Sequence, residues 1–102
     1  MIFIATVTYP MTSIGPVVKV FIENMKAGMP DYIEMDGPYN RWGGDGIVAT
    51  TLYKIQDDRA QEGVKELVSR DAKFADIAGY KIDYKLVLSI EDSLAIVGEK
   101  MP

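Results

Sequence analysis

Residues 31–55, DYIEMDGPYNRWGGDGIVATTLYKI, hold two strand-forming runs joined by Asp36–Gly46, where four glycines and a proline surround Tyr39, Asn40, Arg41 and Trp42. In the first run, Tyr32, Glu34 and Asp36 alternate with Ile33 and Met35, the pattern of a strand with two unlike faces. The second, Gly46–Ile55, is a run rich in β-branched and aromatic residues. Together they predict a long β-hairpin ending in Asp36–Gly46, with Gly37-Pro38 bulging its first arm. What lies on either side of this hairpin then sets the topology.

Upstream, Met1–Tyr9 (MIFIATVTY) is apolar on both alternating sets, as a central strand buried on both faces would be, and Pro10 ends it. Thr12 and Ser13 are N-cap residues for a helix whose apolar face runs through Ile14, Val17, Val18, Phe21, Ile22 and Met25, with Lys19, Glu23, Asn24 and Lys26 on the other side. Gly28 supplies its C-terminal cap and Pro30 prevents continuation. Downstream, Asp57 or Asp58 caps a second helix with an apolar face through Ala60, Val64, Leu67, Val68, Ala72, Ala75 and Ala78; Gly63 weakens it and Gly79 closes it. Tyr80–Ile90 follows as a strand, and Ser89-Ile90-Glu91-Asp92 starts a short terminal helix packed through Leu94, Ile96 and Val97.

The order is β-α-β-β-α-β plus a tail, an α+β, ferredoxin-like arrangement over residues 1–102 as a single domain. It implies a four-stranded antiparallel sheet with strands one and three at its centre. With an even number of loop residues in the hairpin, Ile33, Met35, Val48 and Leu52 share the helix-packed face. The opposite face then carries Tyr32, Glu34, Asp36, Ala49, Thr51 and Tyr53, flanked by Lys81, Asp83 and Lys85 from strand four and Ile2, Ile4, Thr6 and Thr8 from strand one. An odd loop or a bulge reverses part of this assignment.

A sheet face that is apolar at the centre and charged at the edges suits neither water nor an ordinary core, and two such faces meeting would satisfy both. In element order and face pattern, from Met1 to Ile90, the chain resembles the dimeric α/β-barrel superfamily. That resemblance implies a homodimer built by pairing two sheets, with a cleft between sheet and helices in each chain. Members include small monooxygenases, decyclising and dehydrating enzymes, stress-responsive proteins and ligand-sensing domains. Several of the enzymes, and the heme-binding members, are associated with His residues. This chain has none, so no catalytic residue is carried across.

Composition excludes much else. With no Cys and no His, the chain has no disulfide, thiolate nucleophile, Cys/His metal site or Ser-His pair. No cofactor and no metal are expected, and Glu34 with Asp36 would make too sparse a cation site. A net charge of −4 argues against nucleic-acid binding. The short apolar runs and the absence of a leader pattern argue for a cytoplasmic protein without membrane partners.

Tyr32, Tyr39, Arg41 and Trp42 are the candidate ligand-binding residues: Arg41 would hold an anionic group through its planar fork while the aromatics stack. Alternatively, Tyr39 and Trp42 anchor the hairpin on a partner subunit while Arg41 pairs with Asp36 or Asp45. Tyr9, Tyr32, Tyr53, Tyr80 and Tyr84 are further candidates to line a cleft, and Met25, Met29 and Met35 to form an adaptable wall or to fill gaps in the core. The expected function is the binding of a small organic molecule between sheet and helices. A cofactor-independent monooxygenase, lyase or isomerase and a structural or regulatory interaction module are the alternatives.

Overall fold

The computed structural model describes all residues 1–102. In chain order it contains β1 (Ile2–Tyr9), α1 (Ile14–Ala27), β2 (Ile33–Gly43), β3 (Gly46–Ile55), α2 (Ala60–Asp71), β4 (Lys81–Val87) and α3 (Ile90–Ile96). Single 3-10 turns precede α1 and α2, and a third, Ala72–Phe74, follows α2 directly. The protein is α+β, with an open four-stranded antiparallel sheet in the order β2-β3-β1-β4. No helix is long and apolar enough to cross a membrane.

The hairpin is more regular than its glycines imply. β2 runs to Gly43, and only Gly44 and Asp45 remain as the turn. The bulge expected at Gly37-Pro38 is present: the pairing shifts between Asp36↔Leu52 and Tyr39↔Thr50. Gly37 adopts φ +113, which favours glycine, and the peptide to Pro38 is cis.

That shift overturns half of the expected face assignment. Below the bulge, Ile33 pairs with Ile55 and Met35 with Tyr53, so these four side chains share the helix-packed face. Ala49, Thr51 and Tyr53 therefore lie under the helices and are buried, whereas Val48 and Leu52 turn to the open face. A two-residue turn alone would have set the reverse; one extra residue in β2 inverts the relation.

Two apolar clusters hold the helices down. One joins Ala5, Ile33, Tyr53 and Ile55 of the sheet to Leu67 of α2; the other joins Tyr9 and Ile47 to Val17 of α1 and to Phe74. Gly63 does not merely weaken α2: a β-carbon there would stand 2.5 Å from Ile55 Cγ2, so it lets the helix lie close on the sheet. Asn24, expected on the polar side of α1, is buried seven residues after Val17 and faces α2.

Several boundaries also differ. α2 ends at Asp71 and tightens into the 3-10 turn that buries Phe74, leaving Val68, Ala72, Ala75 and Ala78 exposed. Gly79 (φ +74) therefore sits in the following loop, against the Pro10 ring, and does not cap the helix. Asp57 and Asp58 do not cap α2; Asp57 instead meets the Met1 ammonium at 2.6 Å. Ser13 occupies the N-cap position of α1, but its hydroxyl donates to the Ala78 carbonyl at 2.6 Å. Gly28 closes α1 and Ser89 caps α3, accepting from the Asp92 amide. β4 stops at Val87 because Ser89 already opens that helix, whose Ile96 and Val97 remain exposed.

Candidate functional site

Where the helices meet the sheet they leave a cleft of about 170 Å³. Its floor is the helix-packed face of β1 and β3, including Ala5, Val7 and Ala49, and its outer wall is Val18, Phe21 and Met25 of α1. Met25, Met29 and Met35 all contribute to the lining, the use expected of unbranched, adaptable side chains. α1 meets the sheet through Val17, flanked by Ile14, Val20 and Phe21, and the floor of the cleft includes the small residues Ala5 and Ala49.

Few polar groups reach this apolar space. Tyr9, Thr51, Tyr53 and Tyr80 line it, together with Asn24, Asn40, Arg70 and Asp71. Tyr9 and Tyr80 stack with centroids 6.3 Å apart, and Tyr80 stacks on Phe74 at 4.7 Å, which fixes both phenols as part of one aromatic layer.

Asp71 is the unusual member. It is the last residue of α2, and its Oδ2 is sealed from solvent with no hydrogen-bond partner. Burial pushes its pKa from 3.8 to about 7, against the opposing pull of the Arg70 guanidinium. The neighbouring phenols respond in the same sense. Burial, reinforced by the Asp71 charge, raises Tyr53 to about 12 and raises Tyr80 strongly, so both hydroxyls stay protonated and can donate.

Arg70 does not neutralise the site. Its Nε donates to Glu66 Oε1 at 2.9 Å and Nη1 to the Asn24 carbonyl at 3.1 Å, while Nη2 donates to the Gly28 carbonyl. The guanidinium thus clamps the end of α2 to the C-terminal carbonyls of α1, where a cation is favoured. Asn24 returns the contact, donating from Nδ2 to the Arg70 carbonyl at 3.4 Å and accepting from Lys73 Nζ at 3.3 Å.

The four residues singled out in the sequence are not brought together within one chain. Tyr32 lies at the base of the hairpin under the Arg59 guanidinium, 3.8 Å from the ring centroid. Arg41 is nine residues further along, roughly 30 Å at strand rise. Tyr39 is 66% exposed and donates to Asp36 Oδ1 at 2.5 Å, and Arg41, opposite Val48, shares its face. Trp42, 62% exposed, lies opposite Ile47 and so points to the other side. None of the four lines the cleft.

Of the five candidate tyrosines, Tyr9, Tyr53 and Tyr80 do line it. Tyr84 is covered near Tyr53, their rings 6.5 Å apart, with its hydroxyl buried and unpartnered. Asp71 was missed, although a signal existed. It follows Leu67 by four residues and precedes Phe74 by three, so it is an acid within the buried stripe of α2. No group of three or more carboxylates comes together as a metal cluster would require.

Compared with known proteins, the chain matches no family model, no curated sequence and no solved structure.

Proposed function

We propose that this chain is one half of a dimeric α/β barrel, two ferredoxin-like sheets pairing through their open faces, and that each cleft takes a small uncharged organic molecule. The observation that carries the ligand reading is Asp71 on the wall of an apolar cleft, with one carboxyl oxygen sealed and unpartnered. A buried polar atom left without a partner costs free energy, and a ligand that donates to it or completes its shell recovers that cost. An acid in this position disfavours an anionic occupant, so an uncharged ligand replaces the anion that Arg41 suggested. At about 170 Å³ the space is smaller than a drug-sized site, which points to a molecule of about one ring.

The pairing rests on the open face. Its centre holds Ile2, Ile4, Leu52 and Val48 with Thr6, Thr8 and Thr50, while Glu34, Asp36 and Arg41 lie on the β2 edge and Lys81, Asp83 and Lys85 on the β4 edge. A two-fold axis parallel to the strands sets the β2 edge of one copy over the β4 edge of the other and brings Asp36 level with the partner's Lys85. Only 15 of 102 residues are buried, which leaves much apolar surface for an assembly to cover. In this reading Tyr39 and Arg41 belong to the face that meets the partner.

The test is a thermal-shift screen of small cyclic alcohols, ketones and phenols, repeated on Met25→Trp, which narrows the cleft mouth. Compounds that stabilise the natural chain should lose their effect in the variant. Equal stabilisation of both proteins would place the binding elsewhere.

A further inference from the structure

Asp71 is set up for more than holding a ligand. A carboxyl group sealed from water on one oxygen, at the edge of an apolar cleft, resembles a general base whose solvation has been removed. Two phenols line the same cleft, Tyr53 from β3 and Tyr80 from the residue before β4, and both are close enough to feel the Asp71 charge. The remaining titratable groups on the cleft wall are Tyr9 of β1 and Arg70 of α2, while α1 presents only Val17, Val18, Phe21, Asn24 and Met25. The arrangement therefore offers one proton acceptor and fixed hydroxyl donors along the wall of one largely apolar space.

We propose that the cleft is the active site of a cofactor-independent isomerase acting on small unsaturated ketones, with Asp71 shuttling the proton and Tyr53 and Tyr80 holding the carbonyl oxygen. The inference rests on the cleft being the ligand site. The Asp71 carboxylate takes a proton from the carbon between the carbonyl and the double bond: that C–H bond breaks, an O–H bond forms on Asp71, and the electron pair delocalises to the oxygen as a dienolate. The phenol hydroxyls, which stay protonated, hydrogen-bond the developing oxyanion. Asp71 then returns its proton to the far end of the former double bond, leaving the conjugated ketone and a carboxylate ready for another cycle. Nothing is oxidised or reduced, and no co-reactant is consumed. A carboxyl that titrates near neutrality meets the requirement for such a shuttle, because it is a usable base at pH 7 to 8 and still a competent acid once protonated.

The test uses cyclohex-3-enone, a one-ring probe whose conversion to cyclohex-2-enone is followed by ultraviolet absorbance, with binding followed separately by ligand-observed NMR. The natural chain should isomerise it above buffer background, with a rate that rises through about pH 7. Asp71→Asn should lower that rate by about 100-fold or more while still binding the ketone, and Tyr53→Phe should lower it by about tenfold. Circular dichroism on both variants checks that they are folded. Binding without isomerisation in the natural chain overturns the proton shuttle and leaves the ligand cleft standing. No binding of this ketone or of cyclohexanone overturns the proposed substrate class. Equal rates in the natural chain and in folded Asp71→Asn overturn the role of Asp71.

Discussion

Gly37 passes so close to Thr50 that a β-carbon on it would stand 2.9 Å from the Thr50 carbonyl oxygen. The same residue sits at φ +113, so any other side chain meets both a forbidden backbone region and a neighbour that cannot yield. Gly37→Ala should therefore destabilise the chain by about 2–3 kcal/mol, seen as a lower urea midpoint with little change in slope. A midpoint within error of the natural chain would mean that the bulge does not set the hairpin register.

This one residue also explains which parts of the fold could be read in advance. Element types and their order followed from periodicity: the double-sided apolar run of Met1–Tyr9, the helical stripe from Ile14, the caps at Gly28 and Ser89. The side chains facing the helices in β3 did not, because they depend on a register that slips by one at Gly37-Pro38. The candidate site shows a similar division. Tyr9, Tyr53, Tyr80 and the three cleft methionines could be named from residue type. Their convergence, and the entry of Asp71 into the same space, required knowing that α2 ends where it does. A cluster of recognition side chains in sequence, Tyr39 to Trp42, became an extended strand in which neighbours point to opposite faces.

Gly63 offers a second glycine test with an opposite naive expectation. Helix propensity alone would make Gly63→Ala favourable by up to about 1 kcal/mol. The β-carbon, however, would stand 2.5 Å from Cγ2 and 2.8 Å from Cδ1 of Ile55, a buried and β-branched neighbour with little room to rotate. Overpacking should prevail, with a net loss of about 1–2 kcal/mol. Combining Gly63→Ala with Ile55→Ala, which removes Cγ2 as well as Cδ1, should recover part of that loss in thermal unfolding; independent, additive losses would rule out the contact as the cause.

Stability should depend on pH through Asp71. Its pKa is about 7 when folded against 3.8 for the free group, so between pH 4 and 7 the folded chain keeps a proton that the unfolded chain releases. Proton binding then favours the folded state less as pH rises, and the contribution is lost by about pH 7. The carboxylates outside this site titrate alike in the natural chain and in Asp71→Asn, so the difference between the two isolates it. The melting temperature of Asp71→Asn should gain on that of the natural chain across this window and stay level above it. A constant gap from pH 4 to 8 would contradict the raised pKa.

Leu52 lies on the open face directly opposite Ile4 and Asp36. Leu52→Asp places a charge at the centre of the proposed dimer contact, and beside an acid. The natural chain should elute as a dimer by light scattering at micromolar concentration, and the variant as a folded monomer by circular dichroism. A natural chain that is monomeric under these conditions would remove the barrel pairing.

The cleft itself is tested most directly by titrating cyclohexanone into the isotopically labelled chain and following backbone amide shifts. Val18, Met25, Thr51, Tyr53, Asp71 and Tyr80 surround the proposed occupant and should move together and saturably, while Gly43, Gly44 and Asp45 at the hairpin tip stay still. Shifts confined to the hairpin tip, or no saturable shift in the cleft, would contradict the account.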